Sequence, residues 1–169
     1  PRLAALPLPG PGDAPVLALV PFRQIGELGY AHHDDATPLR CLKARRREVL
    51  TREEALTVLP TDDVPLTGAS FDLDDDAYGE VVKRVIAEEI GRGEGANFVV
   101  RRDLRAHQPL PPARAALAVL RRLLEQGDGA YWTFAVHAPL PGTPSVTMVG
   151  ATPERHVSAR AGTVVMNPI

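Results

Sequence analysis

The chain has 169 residues, 44% of them hydrophobic, which is enough to bury a core and suits one domain. A formal net charge of −2 and a pI near 6.2 give no electrostatic reason to expect a nucleic acid or an anionic membrane surface as partner. Cys41 is the only cysteine, which excludes an internal disulfide and suits a reducing cytoplasm, and no apolar run approaches the roughly 18–20 residues needed to cross a bilayer.

Residues 1–15 carry five prolines and read as an irregular extension or linker without the charged-then-apolar pattern of a signal peptide. Val16 to Val20 is a short apolar strand stopped by Pro21. Phe22 to Tyr30 reads as a second strand with a glycine bend. His32-His33-Asp34-Asp35 invites a metal reading, but neighbours in an extended chain point to opposite faces, so a turn fits better. Lys43 to Arg47 is a short basic run, best read as a solvated face. Thr51-Arg-Glu-Glu54 is a capping box that opens a short helix through Val58, ended by Pro60. Residues 65–70 are a turn or a short strand.

The strongest helical stripe follows Asp72 to Asp76, with Tyr78, Val81, Val82, Val85, Ile86 and Ile90 at helical spacing. The aspartates suit the positive end of the helix dipole, so capping explains them without a metal ion. Gly91 and Gly93 end this helix. Ala96 to Arg102 then reads as a strand with Asn97 at its mouth. Pro112 to Gln126 is a second helix, started by Pro111 and Pro112, closed by Gly127 and Gly129, with Ala113, Ala116, Leu117, Leu120, Leu123 and Leu124 on one face. Ala130 to His137 is a strand whose Trp132, Phe134 and Val136 share one side, as core aromatics between layers do.

Residues 139–144 turn the chain into the strand of Val146, Met148 and Gly150. Thr152-Pro153 breaks that strand, because proline has no N–H for a ladder. His156 to Arg160, a turn at Ala161-Gly162, and Thr163 to Met166 form a hairpin. Glu154 therefore sits just past a rigid corner between two strands. It is either a surface glutamate at a strand end or a held carboxyl able to donate a proton.

Gly150-Ala-Thr-Pro-Glu154, then a hairpin, then Met166-Asn-Pro-Ile169, resembles the chorismate-utilising enzymes, in which a Gly-Ala-Ser/Thr-Pro-Glu turn precedes a Pro-Ile-x-Gly-Thr loop. The stretches at 71–102, 129–134 and 164–169 match the same family in order and spacing. Their wording is closest to the phenazine branch that makes 2-amino-2-deoxyisochorismate, with anthranilate synthase large subunits next. The resemblance implies an α/β (α+β) fold, a partial sandwich of antiparallel sheets with helices outside. It makes 16–169 the N-terminal part of a synthase domain, truncated inside the Pro-Ile-x-Gly-Thr motif, and hence a piece of a longer protein that is inactive alone.

Carried over by position, Glu154 is the general acid that protonates the departing C4 hydroxyl of chorismate. Asn97 falls where water-adding members carry a basic lysine, and so positions the nucleophile. A strand-mouth cap remains its plainer reading. Thr152, Pro168 and Ile169 fall against the substrate. Magnesium is expected, with ligands beyond Ile169 and none in this segment. The implied partners are chorismate, ammonia from a glutamine amidotransferase domain or subunit, the remainder of the synthase domain and a second copy in a homodimer. The implied reaction adds ammonia at C2 with loss of the C4 hydroxyl. The alternatives are an anthranilate synthase large subunit of the tryptophan pathway, which also eliminates pyruvate, and a non-catalytic relic or partner-binding module.

Overall fold

The computed structural model describes residues 2–7, 9, 10, 12–127 and 132–167. The architecture is mixed α+β, and every strand pairs antiparallel with one neighbour. In chain order the elements are β1 (Val16–Leu19), β2 (Arg40–Lys43), α1 (Arg52–Val58), β3 (Thr67–Phe71), α2 (Asp75–Arg84), β4 (Leu104–His107), α3 (Pro112–Gln126), β5 (Trp132–Leu140), β6 (Thr143–Thr152), β7 (Arg155–Arg160) and β8 (Thr163–Asn167). They fall into two compact units, one of residues 1–61 and 112–169, the other of residues 62–111.

In the first unit, β1 pairs with β2 from Val16↔Lys43 to Leu19↔Arg40. Phe22–Leu28 is a 3₁₀ helix and not the expected second strand. Gln24 is buried, Arg23 Nε donates to the Thr37 carbonyl at 2.7 Å, and Gly29 ends the turn at φ +85°. A left-handed residue there suits glycine and stops the segment from continuing in either regular form. Both halves of the capping box at Thr51 are made.

The helix α3 has the bounds that its proline start and periodicity call for, and it packs against β5 and β6. Its innermost residues are Ala115, Ala116 and Ala118, at 7%, 6% and 1% exposure, while Leu117 stays 40% exposed. Small side chains let the hairpin come close, so the packed face is turned away from the expected leucine line. Arg52 caps the far end of α3, giving Nε to the Leu124 carbonyl at 2.8 Å and Nη2 to that of Glu125 at 3.0 Å.

Arg40 is the deepest charge among the described residues of this unit, at 6% exposure. It crosses to the β5–β6 hairpin and donates Nη1 to the Ala138 carbonyl at 2.8 Å and Nη2 to that of Pro144 at 2.7 Å. Its Nε is buried with no partner among the described residues. The β5–β6 turn has Pro141 followed by Gly142 at φ +76°, and the β7–β8 turn has Ala161 at φ +50° and Gly162 at φ +81°. Val157, Val164 and Met166 of the β7–β8 pair are 52%, 66% and 59% exposed, so its apolar residues are largely uncovered.

In the second unit, β3 pairs with β4, Phe71 opposite Leu104 and Thr67 opposite His107, with a bulge between. Asp74 caps α2 by accepting the Ala77 N–H at 2.8 Å. The helix continues as a π turn over Val85–Glu89 and a 3₁₀ turn over Ile90–Arg92, closed by Gly93 at φ +80°. Tyr78, Val81, Val82 and Val85 are half-buried, whereas Ile86 is 55% exposed. The expected strand at 96–102 is irregular, and the ladder lies later, at Leu104–His107. Two bonds set that register: Asp72 N–H donates to the Asp103 carbonyl at 2.9 Å, and Asp103 N–H to the Asp72 carboxylate at 3.0 Å.

Candidate functional site

The corner at 152–154 is where the chain leaves one strand pair and enters another. Thr152 is the last residue of β6 and pairs with Trp132, whereas β7 pairs only with β8. Pro153 offers no N–H to extend the first ladder. The Thr152 hydroxyl spans the break: it donates to the Glu154 carbonyl at 2.7 Å and accepts the Glu154 N–H at 3.2 Å. Glu154 is half-buried, and its carboxylate has no hydrogen-bond or ion-pair partner among the described residues.

The face of the hairpin shared with Thr152 carries Trp132, Phe134 and Gly150. Phe134 pairs with Gly150, and a Cβ placed on that glycine would stand 3.1 Å from Phe134 Cζ and 3.3 Å from Cε1. The missing side chain is what lets the ring lie over the strand. The Phe134 ring centroid is 5.3 Å from that of Trp132, tilted by 39°. Phe134 and Val136 are half-buried, but Trp132 is 58% exposed, which corrects the expectation of a core residue.

Asn97 belongs to the other unit, where it is exposed in the irregular stretch that replaces the expected strand. Pro168 and Ile169 lie outside the described residues, as do Gly129 and Ala130, the expected helix end and strand start. Within the first unit, Thr152 and Glu154 stand together at the corner after β6.

Arg102, which sequence reading passed over, organises the second unit. Its guanidinium lies 3.8 Å from the Phe71 ring centroid and 5.6 Å from that of Tyr78, Nε donates to the Leu73 carbonyl at 2.7 Å, and Nη1 pairs with Asp75 at 2.8 Å. Its signal was a basic residue one helix-length from an aromatic and an aspartate, a pattern too common to single out. With Asp74 capping and Asp75 paired, the aspartate run has structural employment. Asp34 and Asp35 likewise accept the N–H groups of Ala36 and Thr37, at 2.8 Å and 3.0 Å, and the Thr37 bond holds the Asp35 carboxyl below its usual range. Among the described residues no three His, Cys, Asp or Glu side chains gather as a metal site, and no helix is long and apolar enough to cross a membrane.

No family model matches the chain. Over 99% of its length it is 44% identical to the phenazine-specific anthranilate synthase of Pseudomonas fluorescens, and over 91% it is 46% identical to that of Pseudomonas chlororaphis. The chain is homologous to part of these synthases. It spans about a quarter of their length, 26% and 23% respectively. The homology takes in both units, so Asn97 and the Thr152–Glu154 corner both fall within it.

Proposed function

We propose that the chain is part of a chorismate-aminating synthase of the phenazine type, with 16–169 as the N-terminal part of its chorismate-binding domain and 1–15 as an extension. The observation that carries this reading is the 44–46% identity to phenazine-specific anthranilate synthases. The held corner at Glu154 supports it. In the proposed reaction a C2–N bond forms to ammonia, the ring double bonds shift, and the C4–O bond breaks. The Glu154 proton goes with the hydroxyl, which leaves as water. Leaving as hydroxide is costly, and a placed acid is worth roughly 10²–10⁴ in rate. Ammonia brings its own lone pair, so Asn97 needs only to place it; an amide is no base near neutral pH.

The partners proposed with this activity are a glutamine amidotransferase that supplies ammonia, the remainder of the synthase domain and a second copy of the chain. Magnesium is proposed as the cofactor of the complete synthase; in this segment Asp74 caps α2 and Asp75 pairs with Arg102. The metal's ligands are proposed to lie elsewhere in the synthase, and no step here is assigned to it.

A second reading follows from the name of these relatives: an anthranilate synthase, which also expels pyruvate. The test is product analysis by chromatography on the complete synthase with chorismate, Mg²⁺ and ammonia. An aminated product that keeps its enolpyruvyl group supports the proposal, and anthranilate with pyruvate supports the second reading. Turnover of Glu154→Gln within a few-fold of wild type refutes the acid role in either.

A further inference from the structure

We infer that Thr152 is a positioning residue for Glu154, and not the substrate contact that its place in the motif suggests. This rests on the reading of Glu154 as the general acid. A threonine hydroxyl has one hydrogen to give and two lone pairs. Here the hydrogen goes to the Glu154 carbonyl at 2.7 Å, and one lone pair takes the Glu154 N–H at 3.2 Å. The donor is spent. Chorismate presents two carboxylates, which accept hydrogen bonds and need donors, so this hydroxyl has nothing to offer them.

Both bonds close on one residue. Thr152 is itself fixed by its pairing with Trp132 at the end of β6, and Pro153 between them has a fixed φ. The Glu154 backbone is therefore tied to a ladder from its amide and its carbonyl at once. A glutamate carboxyl sits roughly 4 Å from its Cα, so a backbone turn of about 15° moves it by about 1 Å. Misplacement on that scale costs up to roughly 10²-fold in rate. The residue after a strand break is ordinarily free to turn by that much; here a single hydroxyl removes the freedom.

The test uses the complete synthase with chorismate, Mg²⁺ and ammonia, and follows kcat and KM for chorismate in Thr152→Val, Thr152→Ser and Glu154→Gln. Valine keeps the shape and loses the hydroxyl, and serine restores it. We expect Thr152→Val to lower kcat by roughly 10- to 100-fold with KM within about threefold, and Thr152→Ser to recover kcat to within about threefold. Thermal melts check folding, and Thr152→Ala, which also removes the hydroxyl, carries the test if the valine protein does not fold. A raised KM with kcat intact makes Thr152 a substrate contact and overturns the inference. Wild-type kinetics in Thr152→Val alongside an inactive Glu154→Gln overturn it as well. An active Glu154→Gln instead removes the acid reading itself, a failure told apart by that variant alone.

Discussion

Replacing Arg40 with methionine puts a number on what holds β2 to the β5–β6 hairpin. Methionine keeps much of the apolar stem and abandons two hydrogen bonds, 2.8 Å to the Ala138 carbonyl and 2.7 Å to the Pro144 carbonyl. Bonds from a charged donor contribute about 1.5–3 kcal/mol each, so roughly 3–6 kcal/mol is at stake. Against this stands the buried Nε without an acceptor, whose removal returns about 1–3 kcal/mol. The expected net loss is on the order of 2–3 kcal/mol, since Ala138, at 1% exposure, lies where water does not readily replace the lost donor. Trp132, the single tryptophan, starts the hairpin strand and reports its unfolding by fluorescence during urea titration. Arg40→Lys should fall between, because one ammonium head satisfies two separated carbonyls poorly. A methionine variant with a urea midpoint at or above wild type would refute the reasoning: it would mean that keeping a lone guanidinium out of water costs more than its two bonds contribute.

Asn97→Lys in the complete synthase, where the remainder of the domain is proposed to cover this exposed position, should divert part of the product to the hydrated compound, because a lysine desolvated there loses its proton more readily and can activate water; loss of amination with no hydrated product would count against the placement of Asn97. Ala161 sits at φ +50° in the β7–β8 turn, a conformation that costs an L residue roughly 1–2 kcal/mol, so Ala161→Gly should raise the thermal midpoint, and an unchanged or lower one sinks the argument. The Asp103 N–H bond holds the Asp72 carboxyl below the usual carboxylate range. A depressed folded pKa contributes stability that is present above about pH 3.8 and lost as pH falls through the folded value, so Asp72→Asn should flatten the decline of the urea midpoint between pH 5 and pH 3. Parallel declines in the two proteins would contradict it.

Local chemistry settled several features before any tertiary structure was known. The capping box at Thr51, the Asp74 cap, the bounds of α3 and the two hairpin turns each depend on residues within a few positions of one another. The Gly-Ala-Thr-Pro-Glu corner is of the same kind, because proline ends a ladder wherever it stands. Other features depended on partners far along the chain. Phe22–Leu28 and residues 96–102 are both apolar enough for strands, yet a strand exists only where another offers its edge. The edge of β3 goes to Leu104–His107, fixed by bonds between Asp72 and Asp103. Periodicity chose the apolar stripe of α3, but the approach of the hairpin decided that alanines and not leucines lie deepest. Arg40 reads as one more basic residue near a basic run. Only the fold places it against carbonyls 98 and 104 residues away, where the absence of water makes a guanidinium matter.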